Sequence, residues 1–367
     1  MLHSIIRGKY GKKQEEKMET KVIVIDHKAM NEEILQEAGN IIKHGGLVAF
    51  PTETVYGLGG DALNPQSSKK IYEAKGRPSD NPLIIHISRM EDLKPIIKEI
   101  PESVVRLAEA FWPGPLTIIM KKSDLVPKET TGGLDTVAVR MPSHPVALKF
   151  IEYAGGYVAA PSANVSGRPS PTKAKYVIED MTGRIDMILD GDGIDIGLES
   201  TIVDMTGEIP MILRPGYITK DMLEKVLGEV SVDQTILDIN CKEPPKAPGM
   251  RYRHYAPKGQ LTIVEGEADK TIETINQLTR EAHSKGEKVG IIGTEETKDK
   301  YLGDSIKSVG KRSDEESIAR TLYTILREFD DEDISVIYSE SFSECAMGQA
   351  IMNRLLKAAG HQIIYVS

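Results

Sequence analysis

From Cys241 to Gly259 the chain passes through four prolines, in KEPPKAPGMRYRHYAPKG, with no hydrophobic periodicity. Proline fixes φ and removes a backbone donor, so such a stretch serves neither as a helix interior nor as a central strand. It reads as an extended linker and divides the sequence into two folding units. A length of 367 residues, more than one hydrophobic core usually serves, agrees with that division. The second half of the linker is more than a bland tether, because Arg251, Tyr252, Arg253, His254 and Tyr255 make it basic and aromatic.

Ahead of the linker, short apolar runs alternate with helical patterns, beginning with VIVI at 22–25. Ile34, Leu35, Ala38, Ile41 and Ile42 then fall on one helical face, with Asn31 as the N-cap and Gly45-Gly46 as the stop. Strands are predicted at 47–50, 83–87, 116–121, 136–141, 157–160, 201–204 and 210–213. GDGIDIG at 191–197 reads as a turn. The expectation is a polar lead-in over 1–20, a mixed α/β domain over 21–230, a linker over 231–259 and a second domain over 260–367. In that second domain LTIVEG, VGIIGT, ISVIYS and IIYV alternate with helices, which predicts a small parallel α/β unit.

Composition removes several classes of function. Hydrophobic residues make up 40% and charged residues 28%, the balance of a globular protein. Cys241 and Cys345 are too few for a zinc site or a disulfide framework, as suits a reducing cytoplasm. No apolar run is long enough for a membrane span, and MLHSIIRGKYGKKQEEK lacks the apolar core of a secretory signal, so a cytoplasmic protein is expected. The net charge of −9 argues against a nucleic-acid coat, and residues 260–367 carry 13 Lys and Arg against 20 Asp and Glu.

Chemistry concentrates in short polar segments attached to predicted strands, where α/β proteins place ligands. PTETVYGLGGDA at 51–62 offers Thr52 and Thr54 beside glycines that permit close backbone approach. KGRPSDNPLIIHI at 75–87 sets Lys75 and Arg77 near Asn81 and His86; alone, it is as readily a solvated basic turn. PSANVSGRPSPT at 161–172 supplies Ser162, Asn164, Ser166, Ser170 and Thr172 as neutral donors. Arg140 within a predicted strand, Ser200-Thr201 at a strand start and Arg214 at a strand end complete the candidates. A cation embedded in a strand needs a partner or an anionic ligand to offset its desolvation. There is no Walker A sequence and no acidic pair with metal-ligand spacing.

Taken in order, PTETVYGLG, KGRPSDNPL, PSANVSG and APGMRYRHYAP resemble the threonylcarbamoyl-AMP synthase family in its long form, and the likeness runs over residues 21–367. The resemblance implies a YrdC-like, twisted mixed-sheet α/β domain with a concave basic cavity, followed by a Rossmann-like domain. It implies threonine contacts at Thr54, His86, Arg140, Ala160 and Ser200. It implies ATP contacts at Arg77, Asn81, Thr136, Ser162, Asn164, Ser170, Arg214 and His254, with Lys75 and Arg77 in the catalytic role. The implied reaction joins L-threonine, bicarbonate and ATP into threonylcarbamoyl-AMP and pyrophosphate. The product would pass to a tRNA threonylcarbamoyl-transferase complex without stable tRNA binding by this chain. Mg²⁺ would arrive with ATP, with no metal held by the protein alone.

Rival readings differ in class. A YrdC-like fold with a basic concave surface could bind double-stranded RNA without catalysis, although hydroxyls clustered with cations suit a small-molecule pocket. A carbamoyltransferase of the hydrogenase-maturation type would add cysteine-rich zinc fingers, for which two cysteines do not suffice. A nucleotide sensor in the second domain would need a glycine fingerprint that its strands lack.

Overall fold

The computed structural model describes residues 18–191, 194–233, 254–342 and 347–366. Both cysteines, most of the expected lead-in and linker, and Arg251, Tyr252 and Arg253 lie outside the described residues. In the first unit the strands are β1 (Lys21–Ile25), β2 (Val48–Phe50), β3 (Gly57–Asp61), β4 (Ile84–His86), β5 (Leu116–Lys121), β6 (Thr136–Arg140), β7 (Val158–Ala159), β8 (Met187–Gly191), β9 (Thr201–Asp204), β10 (Met211–Arg214) and β11 (Ser231–Val232), the last of them inside the expected linker. They form one mixed sheet in the order β1-β8-β2-β3-β7-β4-β6-β5-β9-β10-β11. After the linker come β12 (Gln260–Gly266), β13 (Val289–Gly293), β14 (Ser305–Ser308), β15 (Val336–Glu340) and β16 (Ile363–Val366), in the order β14-β13-β15-β12-β16. Every pairing in that second sheet is parallel, as its strand and helix alternation requires.

Local chemistry sets the helices. Asn31 caps Glu32–Lys43 by accepting from the backbone N–H of Glu33 and Ile34, while Glu32 and Glu33 at its start and Lys43 at its end oppose the helix dipole. Pro65 opens Pro65–Lys75, and the left-handed Gly76 (φ 62°) closes it, directing Arg77 N–H back to the Tyr72 carbonyl at 2.9 Å. The cap thereby fixes where Lys75 and Arg77 leave the helix.

Four strands were not predicted. β3 reads GLGGD, which carries no β-branched or aromatic signal. Glycine is required there by close approach: a Cβ on Gly59 would lie 2.8 Å from the Val158 side chain and 3.1 Å from Phe50. β8 ends at Gly191, so the expected turn at 191–197 begins on a strand that is inserted in parallel between β1 and β2. β11 and β14 are edge strands, and neither SV nor SIKS carries the apolar run that marked the predicted strands.

The two units share a packed boundary. Val55 and Leu198 of the first join Tyr255 and the second unit's Leu322, Tyr323 and Leu326 in one buried cluster. Arg327, on the second unit's helix Glu315–Asp331, donates from Nε to the Pro169 carbonyl at 3.1 Å and pairs with Asp180 at 2.5 Å. Among the described residues no helix is long and apolar enough to cross a membrane.

Candidate active site

Strand register brings the site together. β4 and β6 are parallel neighbours with His86 directly opposite Arg140, and Ala160 reaches them by donating its N–H to the Ile84 carbonyl at 2.9 Å. The segment after β2, the segment before β9 and the end of β10 close around the same point. They form a cleft with about 570 Å³ of empty space counted out through its open mouth. Its walls include Thr54, Arg77, His86, Arg140, Ala160, Ser162, Ser200, Arg214 and His254, all predicted from the sequence.

Arg140 is buried and held from three sides. Nη2 donates to Glu53 Oε1 at 2.6 Å, Nη1 to Thr54 Oγ1 at 2.9 Å and Nε to the Gly114 carbonyl at 3.4 Å. This fixes the guanidinium plane at the cleft wall, a geometry suited to a carboxylate. Arg214, also in the cleft wall, donates from Nε to the Ser200 carbonyl at 3.0 Å and from Nη2 to its hydroxyl at 3.1 Å, and Ser200 Oγ lies 2.7 Å from Thr117 Oγ1. Arg77 is braced by the Asn81 and Pro82 carbonyls at 3.2 and 3.1 Å.

Other predicted residues stand behind the walls. Lys75 is buried beneath the 161–172 segment, donating to the Ser162 and Asn164 carbonyls at 2.5 and 2.6 Å. Asn164 ties that segment by donating to the Val165 and Arg168 carbonyls, and Ser170 donates to Glu199 at 2.6 Å. Asn81 is buried at the Arg77 turn, and Thr136 opens β6 four residues before Arg140, about 13 Å along the strand.

Sequence reasoning overlooked two carboxylates. Glu53 and Glu199 are nearly inaccessible and stand against Arg140 and Arg354, respectively. Their one sequence signal was an acidic residue directly beside each predicted threonine or serine, in TET and ES. Tyr255 also enters the wall, with φ 65° and its ring stacked on Tyr323 at 5.2 Å. His254 and Tyr255 therefore bring the end of the linker against the cleft.

The electrostatics favour anions. Burial lowers Arg77 to about 10, and it pushes Lys75 well below the ordinary lysine value, with Arg77 adding to the effect. Arg214 is lowered for the same first reason. Cations desolvated and crowded together regain stability when an anion enters among them. Burial, then Arg140, lowers His86 to about 3, and burial, then Arg77, does the same for His254. Both rings are therefore neutral donors or acceptors at physiological pH.

A pH dependence of stability follows for His86. Below the ordinary histidine value of 6.5 the unfolded chain takes up a proton that the folded ring refuses until about pH 3. Stability is therefore whole above that window and falls as pH drops through it, by about 1.4 kcal/mol per pH unit for this group. Denaturant titrations from pH 7 to pH 4.5 should show a shallower loss in His86→Gln than in the wild type. Equal slopes would refute the assignment.

Two family profiles match the chain, one described as telomere recombination over residues 40–216 and one described as the threonylcarbamoyl-AMP synthase C-terminal domain over residues 218–360. The chain is 47% identical to the threonylcarbamoyl-AMP synthase of Pyrococcus abyssi over 348 residues, covering 94% of this chain and 99% of that protein. It is 47% identical to the enzyme of that name from Bacillus subtilis over 344 residues, covering 94% and 98%. Its structure is similar to that of P. abyssi Sua5 complexed with L-threonine, with a TM-score of 0.90, 46% identity and coverage of 95% of this chain and 100% of that one.

Proposed function

The chain belongs to the threonylcarbamoyl-AMP synthase family in its two-domain form, and from that premise we propose how its cleft carries out the reaction. The protein is a nucleotidyltransferase that condenses L-threonine, bicarbonate and ATP into threonylcarbamoyl-AMP and pyrophosphate. One observation supports the division of the cleft most strongly: it is lined by two separately anchored, buried guanidiniums, Arg140 and Arg214, each beside a hydroxyl, Thr54 and Ser200.

Arg140 receives the threonine carboxylate, with Thr54, His86, Ser200 and the Ala160 backbone around the side chain and amine. Arg77, Arg214, Ser162 and His254 face the nucleotide, while Asn81, Thr136, Asn164 and Ser170 shape its surroundings. The deprotonated threonine amine attacks the carbon of carbon dioxide and sheds a proton, or that of bicarbonate with loss of water, and becomes a carbamate. A carbamate oxygen then attacks the α-phosphorus of ATP, the bond from that phosphorus to the bridging oxygen breaks, and pyrophosphate leaves with the electron pair. Anions meet anions in this sequence, so catalysis rests on positioning and charge neutralisation and needs no protein nucleophile. Lys75 acts within that scheme by holding the Ser162 and Asn164 carbonyls in place.

Mg²⁺ accompanies ATP as part of the substrate; among the described residues no cluster of His, Cys, Asp or Glu forms a cage for it. The product passes to a tRNA threonylcarbamoyl-transferase complex in the cytoplasm, and the acidic second domain is consistent with a chain that holds no tRNA stably.

The test is pyrophosphate release from ATP with each substrate withheld in turn. Release requires threonine and bicarbonate together, and equal release without threonine would overturn the reading. Serine, lacking one methyl, should react with kcat/KM about 10- to 200-fold lower, since a methyl is worth about 1–3 kcal/mol of discrimination.

A further inference from the structure

Glu199 puts a buried carboxylate in the wall of a cleft that otherwise gathers cations. Its Oε1 accepts from Ser170 Oγ at 2.6 Å, and its Oε2 accepts from Tyr323 Oη at 2.9 Å and from Arg354 Nε at 3.0 Å. Tyr323 and Arg354 belong to the second domain, on the helices Glu315–Asp331 and Gly348–Ala358. Arg354 is fully buried, with its guanidinium 5.8 Å from the centre of the Tyr255 ring. Arg214 shares the wall and directs Nε and Nη2 at Ser200. Ser200, which Arg214 holds, directly follows Glu199, so two buried guanidiniums meet one short segment of the wall, and the one supplied by the second domain makes the ion pair.

We propose that Arg354 is a positioning residue: by holding Glu199 from the second domain, it keeps that carboxylate off Arg214, so that Arg214 stays on Ser200 and faces the anionic part of the nucleotide. This rests on the reading of the cleft as the ATP site. A carboxylate that loses a buried partner seeks the next guanidinium, because a buried unpaired charge is costly. Arg214 is that neighbour, and once paired with Glu199 it would present far less positive charge to phosphate. Burial alone would raise the Glu199 pKa, but Arg354, Arg214 and the Ser170 hydrogen bond hold it at about 2, so the competition persists across the physiological range. The second domain thereby acts on nucleotide affinity without contributing a group that touches ATP.

The experiment is calorimetric titration of the full-length protein with ATP and, separately, with threonine, for the wild type, Arg354→Met, Glu199→Gln and the double variant. Arg354→Met should weaken ATP binding about tenfold or more, with threonine affinity changed less than threefold. Adding Glu199→Gln to it removes the competing carboxylate and should restore ATP affinity to within threefold of the wild type. A simple structural brace gives the opposite pattern, with the double variant at least as weak as Arg354→Met, and that result overturns the proposal. Wild-type ATP affinity in Arg354→Met does so as well. Should Arg354→Met fail to fold, the double variant decides by itself: ATP affinity within threefold of the wild type supports the proposal, and a tenfold loss refutes it. A wild-type protein that binds no ATP would sink the reading of the cleft along with this inference, whereas normal wild-type binding with an unrescued double variant sinks only this inference.

Discussion

Arg140→Ala should lower kcat/KM for threonine by about a hundredfold or more, the loss expected when a buried, hydrogen-bonded charge partner of the substrate is removed. The side chain is fixed by Glu53, Thr54 and Gly114 before any ligand arrives, so little ordering cost falls on binding. The variant also leaves Glu53 buried without its guanidinium, which should destabilise the fold by about 3–5 kcal/mol. The two effects separate in a companion variant. Arg140→Ala combined with Glu53→Gln should recover melting temperature while threonine binding by calorimetry stays lost. Recovery of both would mean that Arg140 serves only to pair Glu53, and the threonine assignment would fall.

Lys75→Ala is the second large effect, and the structure changes its explanation. Sequence reasoning aims this cation at phosphate; the fold buries its ammonium under the 161–172 segment, where it holds two carbonyls. Hydrogen bonds from a charged donor contribute about 1.5–3 kcal/mol each, and their loss frees the segment that carries Ser162, Asn164 and Ser170. Turnover should fall about a hundredfold, with KM for ATP raised and threonine affinity kept within threefold. Lys75→Arg should not rescue, because the fully buried site is shaped for a narrow ammonium. Turnover close to wild type in Lys75→Ala would refute the bracing role, as would equal losses of threonine and ATP affinity.

Much of this architecture was legible along the chain because its signals are local. Asn31 before a 3.6-residue apolar period, Pro65 opening a helix and the apolar runs at β5, β6 and β9 specify elements through backbone preferences that act within a few residues. The four-proline stretch excludes a helix interior or a central strand for the same reason, since proline fixes φ and lacks a backbone donor. β3 escaped notice because its glycines answer to Val158 and Phe50, distant residues that press on the strand from outside its own segment.

The site divides along the same line. Residue types and their attachment to strands marked Thr54, His86, Arg140, Ser200 and Arg214, since a cation or hydroxyl at a strand end is a local fact. Which of them share a wall, and which stand behind it, was decided by sheet register: β4 beside β6 sets His86 against Arg140, and the cap at Gly76 turns Arg77 one way while Lys75 goes beneath the serine segment. Glu199 meeting Arg354 depends on contacts across 155 positions of sequence and on a boundary between two independently patterned units. Periodicity and propensity encode how each segment folds against solvent. They carry no record of which buried charge will find which partner, because that choice is made by desolvation, and desolvation exists only once the domains have packed.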